Sequence, residues 1–153
     1  MKWKHPPITK IYEALGVVAD GRVEVSSNTA KVHSSSGNKF YDILYDPESN
    51  SIMANDNASY WKGYLGYPAI AYLLKVGILE YKPEFGDLLK GILWKDINQK
   101  FKNDFIKALE YILSSIDKNK RESLDKYVQD LDRKIEKLNL SMLGKKALPP
   151  EGY

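Results

Sequence analysis

The stretch Val23-Glu24-Val25-Ser26-Ser27-Asn28-Thr29-Ala30-Lys31-Val32-His33 decides the fold. Val23 and Val25 alternate with Arg22 and Glu24, and Ala30 and Val32 alternate with Thr29, Lys31 and His33. A period of two sends successive side chains to opposite faces of a strand. Ser26-Ser27-Asn28 between the two runs is a short turn, so the runs predict antiparallel neighbours. Ser34-Ser35-Ser36-Gly37-Asn38 makes the next connection. Tyr41, Ile43 and Tyr45 then share one strand face, with Phe40, Asp42 and Leu44 on the other. Asp46-Pro47-Glu48-Ser49-Asn50 is a turn, because proline presets φ at its second position. Ile52 and Ala54 mark a fourth strand.

On the N-terminal side, Ile8, Ile11, Tyr12, Leu15 and Val18 follow the i, i+3, i+4, i+7 rhythm of one helical face. Pro6 and Pro7 open that helix, and Gly21 ends it. On the C-terminal side, Pro68 begins an apolar helix around Ile70 that stops at Gly77. The fold expected over residues 1–82 is therefore α+β: helix, four-stranded antiparallel meander and helix in a two-layer sandwich. Both helices are the natural cover for the sheet.

Residues 83–143 read as a helical extension, packed on the sandwich or on a second copy. A short helix is expected near Glu84–Leu89. A long one should follow, because Leu89, Leu93, Ile97, Phe101, Phe105, Leu109, Ile112 and Ile116 form one stripe. After the polar break at Asp117, a last helix carries Leu124, Val128, Leu131, Ile135, Leu138 and Met142 at 4-3-4-3-4 spacing. That is a heptad seam. Glu122–Lys126 and Asp130–Lys134 add i, i+4 ion pairs. The two long helices form a C-terminal α-helical hairpin, and residues 144–153 a poorly ordered tail.

Composition narrows the chemistry. Among 153 residues there is no cysteine and only two histidines, His5 and His33. Disulfides, thiolate nucleophiles, Cys-ligated metals and three-histidine sites are excluded. The chain has 20 lysines and three arginines, and its net charge of +3 resides entirely in residues 94–153, where 13 basic side chains face 10 acidic ones. The longest uncharged stretch, Gly63 to Leu74, is 12 residues, too short for the roughly 20 needed to span a bilayer. No signal peptide follows Met1, so a soluble cytoplasmic protein with no membrane partner is expected.

No catalytic signature emerges. His33 precedes three serines, but adjacent strand residues point to opposite faces, and no G-x-S-x-G elbow exists. Asp42 and Asp46 share a strand face about 13 Å apart at roughly 3.3 Å per residue, too far for one metal or a glycosidase pair. No metal and no cofactor are expected.

The most site-like stretch is Asn55–Tyr67, which sets Asn55, Asp56, Tyr60, Trp61, Tyr64 and Tyr67 between a strand end and a helix start. Aromatic rings with a few polar neighbours suit a ligand pocket, and they also suit the plug at the end of a two-layer core. The leading expectation is a non-enzymatic binding or protein-interaction module that uses this segment. Self-association would run through Leu124, Val128, Leu131, Ile135 and Leu138, with intramolecular packing of that seam as the alternative. A second expectation is nucleic-acid association through the lysine-rich helices, although aspartates are interleaved with the lysines. A third is a small-molecule enzyme centred on Asp56, which requires that carboxyl to be buried in a pocket.

Overall fold

A computed structural model describes residues 1–151. The meander is present as β1 (Val23–Ser26), β2 (Thr29–His33), β3 (Phe40–Asp46) and β4 (Ser51–Ala54), each antiparallel to the next. Its register pairs Val32 with Val23 and Tyr41, and Ile43 with Ala30 and Ala54. Ala30, Val32, Tyr41 and Ile43 consequently face the core, while Lys31, Asp42 and Leu44 face outward. The β3–β4 turn is closed by Asp46, whose carboxylate accepts from the Glu48 N–H at 3.1 Å and from the Ser49 hydroxyl at 2.6 Å.

A fifth strand lies beyond the expected four. β5 (Ser141–Met142) runs parallel to β4, pairing Ser51 with Ser141 and Ile52 with Met142. All four residues of β4 are buried. Met142 is therefore a strand residue, not the last member of the heptad seam. The final helix stops at Leu138 because Asn139 turns left-handed at φ 49°, and the Asn50 side chain donates to the Leu138 carbonyl at 2.8 Å.

Helix α1 spans Thr9–Ala19 and α2 spans Tyr67–Lys75. α2 is the sheet's cover and touches β1 through β4, as its run of buried residues from Pro68 to Leu74 requires. α1 packs along α2. Its other side is also covered, so every residue from Thr9 to Val17 is buried, Lys10 and Glu13 included. Gly16 permits the tightest of these contacts: a Cβ there would sit 2.7 Å from the backbone oxygen of Leu89.

The expected long helix after Leu89 is broken. Helix α3 (Pro83–Gly86) runs into a 3-10 turn, Asp87–Leu89, followed by α4 (Trp94–Lys100) and α5 (Phe105–Leu113). Gly91, Lys102 and Asn103 all take positive φ. Asp104 then caps α5, accepting from the Lys107 N–H at 3.2 Å. Apolar spacing runs straight through residues 101–105, but the chain satisfies the helix-end amides by capping and restarting.

Helix α6 (Lys118–Leu138) follows α5 in the chain and lies against α1. Leu124, Val128 and Leu131 are fully enclosed and Ile135 nearly so. The heptad seam is thus spent inside the chain, in one apolar core that also holds Ile43, Ile70 and Leu109. Just before the expected tail the Leu143 N–H bonds to the Ile52 carbonyl, and within it the Lys146 ammonium bonds to the Tyr60 carbonyl. Gly152 and Tyr153 lie outside the described residues.

Candidate functional site

The six residues singled out by sequence separate into four places. Asn55 extends the strand ladder, its side-chain oxygen accepting from the Asp42 N–H at 2.7 Å. Tyr60 and Trp61 meet edge to face, 4.7 Å between centroids, with Trp61 69% exposed at the surface. Tyr64 is half-buried beside Lys4, on the N-terminal segment. Asp56 is buried, and Tyr67, at the start of α2, is half-buried.

Asp56 is 4% exposed. Its carboxylate accepts from the Ser59 hydroxyl at 2.6 Å and the Ser59 N–H at 3.2 Å. The Ser59 hydroxyl in turn accepts from the Gly66 N–H at 3.2 Å. These bonds hold a π-helical turn, Ala58–Lys62, that ends at Gly63 in the left-handed region. Asp56 is buried as the enzyme hypothesis required, but its oxygens are occupied in shaping the turn, and it is not among the residues lining the pocket beside it.

Beside it lies a pocket of about 280 Å³. Its wall groups converge from distant parts of the chain: Glu13 from α1, Ser34, Ser35 and Ser36 from the β2–β3 connection, and Tyr41 from β3. Asn57 comes from the segment before α2, Tyr67 from the first position of α2, and Lys95, Asn98, Gln99 and Asn103 from α4 and its exit. Lys39 completes the lining. Of the six sequence candidates, only Tyr67 is in this set. A larger hollow of about 680 Å³ lies on the outer sheet face, lined by Val25, Leu44, Met53, Asn55 and Ala147 among others. It has more space but less chemistry, because its charges alternate in sign across the register from Glu24 to Lys31 to Asp42.

Electrostatics set the smaller pocket apart. Glu13 is 7% exposed, with the Lys10 ammonium 3.7 Å from its carboxylate. Lys10 also sits 4.7 Å over the Phe105 ring. Burial raises the Glu13 pKa, against the pull of Lys10 and Arg22, and the Asp56 charge adds to the rise. Burial likewise raises Asp56, opposed by its bonds to Ser59. Tyr41 is pushed up to about 12 by burial and then by Asp56 and Glu13. Tyr67 is raised well above its ordinary value by burial and then by Glu13. Both phenols therefore stay protonated at neutral pH and remain donors, while Glu13 holds its proton more tightly than an ordinary carboxyl.

This arrangement fixes the sign of a pH effect. The folded chain binds the Glu13 and Asp56 protons more tightly than the unfolded chain. Their contribution to stability is complete below the ordinary carboxylate range and is lost as pH rises through the raised values. Glu13→Gln removes one of the two titrations while keeping the shape. Its urea-unfolding free energy, measured against wild type, should shift in the variant's favour between about pH 4 and pH 8. Parallel profiles would contradict the raised value.

The other candidates have local partners. His33 pairs with Glu24 at 3.3 Å and does not line the pocket. On the C-terminal helices, Arg121 meets Glu110 at 2.7 Å, Lys134 meets Asp130 at 3.0 Å, and Lys107 lies 3.9 Å from Asp104. Among the described residues no group of three or more His, Asp or Glu could hold a metal, and no helix is long and apolar enough to cross a membrane.

Fold and pocket together define an α+β protein with C-terminal helices and a small polar cavity between its sheet and its helices. The chain belongs to the family described as uncharacterised conserved protein UCP014422, which matches residues 3–141. That span takes in every pocket-lining residue. No curated protein and no solved structure matches the chain.

Proposed function

We propose that the protein is a binding module for a small polar molecule, held in the pocket between Glu13, Tyr41 and Tyr67. The observation that carries this reading is the convergence of a buried carboxyl and two protonated phenols, ringed by hydroxyl, amide and ammonium groups, on one cavity of about 280 Å³. Small-ligand sites characteristically set a few convergent polar groups in a concave wall. The volume lies just below the roughly 300–1,000 Å³ of pockets for drug-sized ligands, which favours a compact metabolite. The nucleic-acid reading gains less support, because the basic side chains of α5 and α6 named above are engaged with acidic neighbours rather than gathered into a phosphate track.

The test is a ligand-observed NMR screen of compact polar metabolites. Tyr67→Phe removes one hydroxyl, so binding of a hit should weaken by about fivefold to tenfold, the worth of one hydrogen bond. Trp61→Ala should leave binding unchanged. A hit whose affinity depends on Trp61 and ignores Tyr67 would move the recognition site to the surface and end this reading.

A further inference from the structure

We infer that the loop around Gly63 binds single-stranded nucleic acid, with Trp61 as the stacking ring and Lys4, Lys62 and Lys146 as the phosphate contacts. This surface is separate from the pocket, whose lining includes none of these residues, and from the lysines of α5 and α6. Three distant parts of the chain build it. The Lys4 N–H donates to the Gly63 carbonyl at 3.0 Å, and Lys4 bridges to Tyr64. The Lys146 ammonium donates to the Tyr60 carbonyl at 3.2 Å. Lys62 follows Trp61 at the surface.

The backbone at Gly63 lets two of these cations converge. The Lys146 ammonium lies 3.7 Å from the point that a Gly63 Cβ would occupy, and Lys4 Cδ and Cε lie 3.9 Å from the same point. Gly63, left-handed at φ 76°, puts no side chain between them. All three lysines are exposed, and among the described residues none of them forms an ion pair. Glu136 shares a small hollow with Lys4 and is not paired with it either. Like charges gathered on one surface without counter-charges favour an anionic partner.

The aromatic part decides which anion. Trp61 is the exposed tryptophan, since Trp3 and Trp94 are buried. Tyr60 meets it edge to face and covers at most one of its two faces. Any base can stack on the open face while lysines beside the ring hold the flanking phosphates. A duplex keeps its base faces inside its own stack, so the fitting partner is a single strand. A bilayer is matched less well, because the loop offers one exposed ring flanked by exposed polar Asn57 and Lys62 rather than a broad apolar face. Lysine acts as a point charge where arginine would read base edges with a fixed fork, so the strand is held with little sequence preference.

The experiment is fluorescence anisotropy of the full chain with a labelled oligothymidylate of about 12 nucleotides, within the roughly 4–16 that single modules cover. Affinity should fall between about 50 and 200 mM salt with a log–log slope near −2, about 0.7 for each of three phosphates. Lys4→Gln and Lys146→Gln should each flatten that slope by about 0.7, whereas Lys4→Arg and, on α6, Lys126→Gln should leave it unchanged. Trp61→Ala should weaken binding at least about fivefold, and Trp61→Phe, which keeps a ring, by less. A duplex of the same length should bind more weakly and ignore Trp61→Ala. Single-strand binding that is indifferent to Trp61→Ala, or a duplex bound as tightly, would overturn the stacking assignment. Equal capture of polyglutamate would reduce the surface to unspecific charge attraction. Phosphatidylserine vesicles bound through Trp61 while the oligonucleotide stays free would make the loop a membrane contact instead. No binding at about 50 mM salt, where phosphate contacts are strong, ends the proposal and leaves the pocket reading untouched.

Discussion

Gly66→Ala should destabilise the protein by about 3 kcal/mol, an effect larger than ordinary overpacking because it strikes a buried carboxylate network. A Cβ at this position would fall 1.9 Å from one Asp56 carboxylate oxygen and 2.7 Å from its carbon. Backbone strain is not the reason: Gly66 has φ −78° and ψ 174°, an extended conformation open to any residue. The reason is close approach. Asp56 cannot swing aside cheaply, because its two oxygens are held by Ser59 and the Ser59 hydroxyl also receives the Gly66 N–H. Displacing it would leave a buried carboxyl and a buried hydroxyl short of partners. For a chain of this length the melting temperature should fall by roughly 6–12 °C. A double-mutant cycle isolates the cause. In an Asp56→Ala background, the further substitution Gly66→Ala should cost much less than it does in wild type. Additive costs, or an unchanged melting temperature for Gly66→Ala alone, would contradict the close contact.

The same network explains why a structural aspartate matters to the pocket. Asp56 precedes Asn57, and Gly66 precedes Tyr67, so the Asp56–Ser59–Gly66 bonds clamp together the two backbone points from which those pocket groups project. Asp56 acts on the site by fixing its wall, without reaching the cavity.

How much of this was legible in the sequence follows from the range of each signal. β1 to β4, α1 and α2 rest on local periodicity bounded by proline, glycine and aspartate turns, and they stand where the residues put them. The stripe from Leu89 to Ile116 misled because apolar spacing continued across two breaks, marked by Gly91 and by Asn103 with the capping Asp104. Met142 kept the heptad phase past the end of its helix, and Asn139 was the residue that said otherwise. The pocket was the least legible feature. Lys10 and Glu13 lie off the apolar stripe of α1, which locally means a solvated face. Only Phe105, nearly a hundred residues further along the chain, and the neighbouring helices turn that face inward. The segment Asn55–Tyr67 did mark a structurally important turn. From this segment Trp61 points outward, while Asn57 and Tyr67 reach the cavity.

Leu131→Ala should cost about 3 kcal/mol, within the range of roughly 2–5 for truncating an enclosed leucine, and should leave the molecular mass in solution unchanged. Leu131 has no exposed surface, and it shares one apolar cluster with Val128, Leu124 and the core residues of α1 and α2. Polar bonds fix α6 around it: the Tyr12 hydroxyl donates to Asp125 at 2.6 Å, the Tyr127 hydroxyl to the Glu80 carbonyl at 2.7 Å, and His5 meets Asp132 at 2.7 Å. A cavity at Leu131 cannot close by sliding a helix pinned at both flanks, so the loss should approach the unrelaxed value. A heptad seam used between two copies would behave differently. Truncating it would lower the mass by light scattering and make the unfolding midpoint depend on protein concentration. The expected result is a lower midpoint in urea, independent of concentration, with one mass for variant and wild type. The solvent-facing Lys126→Ala on the same helix should stay within about 0.5 kcal/mol of wild type. A Leu131→Ala protein of unchanged stability but altered mass would return the seam to an intermolecular role. It would also mean that the contacts of α6 with α1 contribute nothing to the fold.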